Sequence, residues 1–539
     1  MSYNYNARNS QIDVNECTSR GACSISPSIS ALSELAMMFL QHIAYYVLKL
    51  EKLGASNDKL KFDIINVLAS FVSVNEFSEE QLFEIVRNEY FMLEDTKKAY
   101  NDYCKRENIT SKDLKEKILF NEKTPVSKAI SIGEKIFLRN YNTRNSEVKN
   151  LITILDIVIK SVSLNIIKLA DFNESDVKAY DEVILTLDLF NHRPLSSKKI
   201  ADSITNLAEL ESRLQLKISE LLLSSFGGIS KVEVSHSSEK GKAILVSGNN
   251  FFDLLKVLRE TKGQDVDIYT HSNLLITHAL KVFHEFEHLK GHYGDSTENC
   301  ILDFATFPGA ILLTKNSKNN TEYLYRGRLF SNDYIVPKGV IKVENNDYSA
   351  LIEAAKAAKG FSKGKTKPDT ILGYNEDELN KQFDMIVEKL NNGIIKRLFI
   401  VGTDAQLLVQ EEYFKEFFNM LDEDEFAISF SYKSEQQNVL TIPIGNYIPL
   451  ATNILMKFFD KFPISDSKII FMFTTCDVMT VSNIVKLKNV GAQNIYMAKC
   501  SPTLVNPAVF ETFSKKYNIH TTDEPIRDLT IIRNEKSTQ

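Results

Sequence analysis

Three groups of residues in this chain could do chemistry, and each implies a different kind. In "HEFEHLKGH", His284, Glu285 and His288 stand in the H-E-x-x-H order, in which two histidines on one helical face hold zinc and a carboxylate activates water. Gly291 sits where the longer metalloprotease motif has a glycine, but His292 is two places short of the third ligand and a glycine there suggests a helix end. Solvated or hydrogen-bonding histidines are therefore the preferred reading over zinc catalysis. The second group is a set of short polar loops, "SGNN", "THSN", "TKNS", "VGTD" and "TTCD", each following an apolar run. Parallel sheets bind ligands at such strand ends. None has the G-x-G-x-x-G or lysine-bearing phosphate-loop pattern. The third group is Cys17 and Cys23, the closest pair among six scattered cysteines, a distribution unlike a disulfide framework and suited to a reduced, cytoplasmic location.

The elements that position these residues are of two kinds. From Ser30 to about Leu222 apolar residues recur at spacings of three and four with little Gly or Pro, as in "SELAMMFLQHIAYYVLKLEKL", which predicts a bundle of antiparallel helices. After "SSFGGIS" the rhythm changes. Strands are predicted over 242–248, 266–271, 309–315, 396–403, 425–430, 468–475 and 494–499, alternating with helical segments. That alternation argues for parallel sheets covered by helices, in two domains. The predicted organisation is a helical domain at 1–222, a Rossmann-like α/β domain at 223–365 and a second at 366–539. The loop "KAAKGFSKGKTKP" at the last boundary, with Lys356, Lys359, Lys363, Lys365 and Lys367, reads as a solvated linker, with an anion site as the sharper alternative.

Composition limits the partners. A net charge of -6 over 539 residues gives no basic face for nucleic acid. The most apolar stretch, from Leu151, is interrupted by Asp156, Lys160 and Lys168 and reads as a buried helix rather than a membrane span. "MSYNYNARNS" contains no apolar signal core, although a short organelle-targeting presequence would fit too.

The strand ends also resemble a known family. The hybrid-cluster proteins (prismane, or hydroxylamine reductase) have a stretch of the form "VDVYTHGEM…PHLVGNYG…EF..FPGAIL.TTNC", and this chain reads "VDIYTHSNL…EHLKGHYG…DFATFPGAILLTKNS". Further on, "NNGIIKRLFIVGTDA" and "SPTLVNPAVF" resemble "SGAIKRF…GCDG" and "GPTLPAFLSPNV" of the family, so the match runs in order from about Lys242 to Ile519. The resemblance implies a helical domain followed by two Rossmann-like domains. It also implies two iron–sulfur centres: a four-iron cluster on N-terminal cysteines, and a hybrid iron–sulfur–oxygen cluster between the domains that reduces hydroxylamine or nitric oxide.

Carried over residue by residue, the hybrid-cluster ligands fall on Asn249, Asn273, Ser317, Thr403, Tyr432, Ile444 and Asp477, where the family has His, Glu, four Cys and a second Glu. Only Asp477 keeps a carboxylate. Cys17 and Cys23 match the second pair of N-terminal cysteines, and the first pair is missing. Iron in sulfide clusters takes thiolate, imidazole and carboxylate donors, which Asn, Ser and Thr do not supply. These replacements predict a chain without cofactor or resident metal. They predict a non-catalytic family member that works through protein partners, with itself or in a larger assembly, and Tyr432 and Ile444 filling part of the vacated volume. The alternative is an oxidoreductase of the hydroxylamine or nitric oxide reductase type with an altered metal centre, in which His271, Cys476 and Asp477 would be the remaining chemistry.

Overall fold

The computed structural model describes residues 26–141, 146–192, 194–294, 300–315, 325–333, 336, 339–404, 410–474, 478–498 and 507–534. Among the described residues seven α-helices come first: Pro27–Lys52, Asp58–Ser70, Glu79–Arg106, Val126–Tyr141, Ser146–Asp171, Val177–Leu189 and Ser197–Ser225. Their starts are set locally. Ser26, Asn57, Asp176 and Ser196 each accept a hydrogen bond from a first-turn backbone N–H, and Ser78 with Gln81 forms a capping box. The helices Pro27–Lys52 and Ser146–Asp171 are long and apolar enough to cross a membrane by length and composition, and most of each apolar window is buried here inside the protein. Ser146–Asp171 is apolar around most of its circumference because it is central: it packs on Asp58–Ser70 and Ser197–Ser225, and on two helices of the last domain, Val478–Asn489 and Pro507–Tyr517.

The strands are β1 (Val232–Val234), β2 (Lys242–Ser247), β3 (Val266–His271), β4 (Leu289–His292), β5 (Ala310–Leu313), β6 (Leu329–Ser331), β7 (Ile341–Lys342), β8 (Thr370–Leu372), β9 (Arg397–Val401), β10 (Glu425–Ser429), β11 (Val439–Thr441), β12 (Ile469–Phe473), β13 (Asn494–Met497) and β14 (Ile519–Thr521). One sheet runs β4-β3-β2-β5-β6-β7 and the other β11-β10-β9-β12-β13-β14, all pairs parallel. Both have the doubly wound order, in which the chain reverses direction beside its first strand. The central strands β2, β9 and β12 are almost wholly buried, as expected for sheets covered on both faces. The small antiparallel pair β1·β8 links the segments on either side of the first sheet. The lysine-rich segment is not a free linker: Phe361 and Lys365 bridge to Gly241 and Ser238, so it straps onto the first α/β domain.

The helical domain meets the second α/β domain through a buried polar seam. Glu211, fully buried, accepts hydrogen bonds from Ser161 Oγ (2.7 Å), Asn165 Nδ2 (2.9 Å) and Gln215 Nε2 (3.0 Å). Gln215 Nε2 also donates to Asn483 (3.1 Å), and its Oε1 accepts from Thr452 (2.7 Å), beside Lys486. Desolvation raises the Glu211 carboxyl to about 7 and lowers the Lys486 ammonium to about 8.

Candidate functional site

In a doubly wound sheet the ligand crevice opens where the strand order reverses, between β2 and β5 in the first sheet and between β9 and β12 in the second. Both crevices are laced by the chain's own hydrogen bonds. In the first, the backbone N–H groups of Asn249 and Asn250 donate to Thr314 Oγ1 (3.1 and 3.3 Å), and Lys315 N donates to Asp253 Oδ2 (3.0 Å). Asp253 Oδ1 accepts from Asn332 Nδ2 (2.7 Å) and the Tyr348 hydroxyl (3.1 Å). Burial raises its pKa, and burial with the neighbouring Asp253 charge pushes Asp171 up to about 7. In the second, Asp404 accepts from Thr474 N (2.8 Å) and Thr474 Oγ1 (3.1 Å). Gly402 adopts a left-handed φ of 67° with Ser431 so close that a Cβ would lie 2.5 Å from its Oγ.

The sequence-derived positions fall around these crevices unevenly. Asn249 lies at the first and Thr403, buried, at the second. Asn273 lines a cavity of about 90 Å³ between the two α/β domains, together with Ser431 and Lys433, which flank Tyr432, and Pro443 and Gly445, which flank Ile444. Ile444 is buried in the main core. Tyr432 departs from the expectation that it fills space between the domains: its ring stacks on Phe414 at 4.6 Å, inside a satellite core on one face of the second sheet. Ser317, Asp477, Cys476, Cys17 and Cys23 lie outside the described residues. The five described positions offer amide, hydroxyl, phenol and alkyl groups. That donor set does not fit the hybrid cluster.

The histidine string is not a helix. Residues Lys281–Glu285 form a 3₁₀ turn and Leu289–His292 is β4, so His284 and His288 do not share a helical face. His284 Nε2 is 2.9 Å from the His278 carbonyl, and His288 Nε2 is 3.0 Å from Thr261 Oγ1. Gly291 marks a close backbone approach rather than a helix end, since a Cβ there would lie 2.1 Å from the Ser235 carbonyl oxygen.

Strand pairing assembles a different histidine group that sequence spacing did not reveal. Thr270 and His292 are register partners on β3 and β4, and Thr270 Oγ1 lies 2.8 Å from both His292 Nδ1 and His278 Nε2. The His271 and His292 rings lie parallel at 6.3 Å, and His236 meets His292 edge-on at 5.7 Å. Burial pushes His278 down to about 3 and His292 well below the usual imidazole range, so both are neutral at pH 7. His271 Nδ1 is 2.8 Å from Ser247 Oγ and its Nε2 is 3.3 Å from Asp303 Oδ2. That serine–histidine–aspartate order does not make a hydrolase, because Ser247 is wholly buried. Among the described residues, Asp422, Asp424 and Glu425 have ligand oxygens within 4.8 Å of one another, and Arg533, Arg397 and Lys396 already pair with them.

Comparison with known proteins gives this site its family. Residues 11–429 match the family described as Prismane/CO dehydrogenase. The chain is 24% identical over 536 residues to hydroxylamine reductase of Maridesulfovibrio salexigens, covering 96% of this chain and 97% of the relative. It is 25% identical over 543 residues to hydroxylamine reductase of Rippkaea orientalis, with the same coverage. Among solved structures it is similar to carbon monoxide dehydrogenase IV from Carboxydothermus hydrogenoformans, with a TM-score of 0.49, 9% identity, and 95% and 87% of the two chains covered.

The family match and the hydroxylamine reductase relatives correct the expectation of no cofactor. The family is one of iron–sulfur metalloproteins, and identity of 24% to its members does not show that a cofactor has been lost. The physical reason is that the misfit concerns six side chains, Ser317 with the five described ones, while the remaining sulfur and carboxylate candidates, Cys17, Cys23, Cys476 and Asp477, lie outside the described residues. The helical domain, the paired doubly wound sheets and the match over residues 11–429 have one meaning: the chain belongs to the Prismane/CO dehydrogenase family.

Proposed function

We propose that this family member works by association, as a structural or regulatory interaction protein, rather than by reducing hydroxylamine. One observation supports the reading above the others: both strand-end crevices are occupied by the chain's own hydrogen bonds, from Thr314 in one and Asp404 in the other. A substrate entering either would have to break bonds whose buried partners are costly to leave unpaired. Iron held elsewhere in the chain would be compatible with that role. A specific and stable interface would bury roughly 1,200 Å² or more in total.

The second reading is an oxidoreductase, favoured by relatives named hydroxylamine reductase that match across 96% of the chain. One experiment separates the two. The full chain, purified without oxygen, is supplied with hydroxylamine and reduced methyl viologen, and its mass in solution is followed by light scattering down to low concentration. Association predicts dye oxidation no faster than the protein-free blank, together with a self-complex or a complex with a co-purified protein. Turnover of about 1 s⁻¹ or faster, the range of ordinary enzymes, by a monomer overturns the proposal and establishes the oxidoreductase.

A further inference from the structure

We propose that the cavity between the two α/β domains is a binding site for one small oxyanion, with Lys433 as its charge partner. The cavity, of about 90 Å³, lies where the end of β3 faces the loops after β10 and β11. Its polar lining includes Ser272, Asn273, Thr370, Ser431, Thr441 and Asn446, with His271 and His292 on one side. Among the described lining residues Lys433 is the only lysine or arginine, and none is an aspartate or glutamate. His271 Nε2 lies 3.3 Å from Asp303 Oδ2.

Three features argue for a ligand rather than an incidental gap. Lys433 is exposed and has no ion-pair partner among the described residues, although the chain pairs many of its other lysines. Thr441 Oγ1 is buried without a hydrogen-bond partner, an unusual state for a hydroxyl at the wall of a polar space. Ser272 holds left-handed backbone at φ of 60°, a conformation that residues other than Gly, Asn and Asp adopt at a cost and that clusters at ligand sites.

The charge and the size choose the ligand. A single ammonium among neutral hydroxyls and amides favours an anion and repels a metal cation. A cavity of about 150 Å³ holds benzene, so one of about 90 Å³ has room for an anion of about four or five non-hydrogen atoms. Phosphate and acetate fit that limit; a nucleotide does not. The site is independent of whether the chain associates or turns over hydroxylamine.

The test is calorimetric titration of the full chain with inorganic phosphate and, separately, with acetate, in a buffer lacking both. One saturable site per chain is expected for at least one of them. Lys433→Gln should weaken it by about tenfold or more, the usual worth of a charge-assisted hydrogen bond. Thr441→Val should weaken it by about threefold to tenfold, a neutral bond. Lys433 is at the surface, so its substitution leaves the fold intact, and an unchanged thermal midpoint without ligand verifies this. Saturation by phosphate alone marks a tetrahedral site and by acetate alone a carboxylate site, and either supports the proposal when Lys433→Gln weakens it. Absence of saturable heat from both anions, or binding unchanged by Lys433→Gln, overturns it.

Discussion

The buried seam between the helical domain and the second α/β domain sets up a test of what holds the domains together. Glu211 and Lys486 are both buried, and burial has moved each toward its neutral form, to about 7 and about 8. For Glu211 the folded value lies above the ordinary carboxyl value of 4.5. Its contribution to stability is present at low pH and is lost as pH rises from 4.5 through 7. For Lys486 the folded value lies below 10.5, so its contribution is present at high pH and is lost as pH falls through 8. The two losses overlap near pH 7.5, where the pair is least favourable. Replacing both, in Glu211→Gln with Lys486→Met, keeps an oxygen acceptor for Ser161, Asn165 and Gln215 and retains the apolar bulk of the lysine stem. No direct ion pair joins the two, Lys486 Nζ lying 3.4 Å from Thr452 Oγ1, and replacing such buried ionisable groups by neutral ones of similar shape stabilises by roughly 1–4 kcal/mol. The double variant should therefore unfold at higher urea than the parent at pH 7.5, by far-ultraviolet circular dichroism. The gain should shrink at pH 5, where Glu211 is already protonated. A double variant less stable than the parent at pH 7.5, or a gain that is equal at both pH values, refutes the reasoning.

Three further outcomes follow from single contacts. Gly291→Ala places a methyl 2.1 Å from the Ser235 carbonyl, so β4 must shift, and a loss of about 1–3 kcal/mol in thermal or urea unfolding is expected. Asp404→Ala strips Thr474 of the acceptor for its buried N–H and hydroxyl, which should cost about 1–3 kcal/mol and speed amide exchange at Thr474. His278 has a folded pKa lowered to about 3, so its contribution to stability is present above 6.5 and is lost as pH falls toward 3. A His278→Gln variant should show a shallower fall in urea midpoint between pH 6.5 and pH 4.

The seven strands predicted from apolar runs are all present, because β2, β3, β5, β9, β10, β12 and β13 are buried on both faces and therefore read as continuous β-branched or aromatic stretches. The strands that sequence did not reveal lie in the outer halves of the sheets or in the small β1·β8 pair. β4, reading "LKGH", owes its place to pairing with β3 and to the missing Cβ of Gly291, not to any alternation of its own. The histidine group was unreadable for the same reason. Thr270 and His292 become neighbours only when β3 and β4 pair in register. The cavity was half legible: Asn273 was placed by resemblance, whereas Lys433 and Thr441, which give the space its charge and its unpaired hydroxyl, stand in no motif.

The polar residues at the strand ends explain why two crevices are closed and the space between the domains is not. Asn, Thr, Ser and Asp are short and satisfy backbone groups at close range, as Thr314 does for Asn249 and Asn250 and Asp404 does for Thr474. A crevice between adjacent parallel strands is narrow enough for one such side chain to span it. The gap between two separate sheets is wider. There Asn273 faces residues of another domain, and the polar groups along the wall exceed the partners the chain supplies, as the unpaired Thr441 hydroxyl shows. Closing that gap with protein would have required a carboxylate opposite Lys433, and none of the described lining residues is one. The space is thus left polar where the end of β3 faces the loops after β10 and β11, with Lys433 beside it, and it can take an oxyanion where neither crevice can.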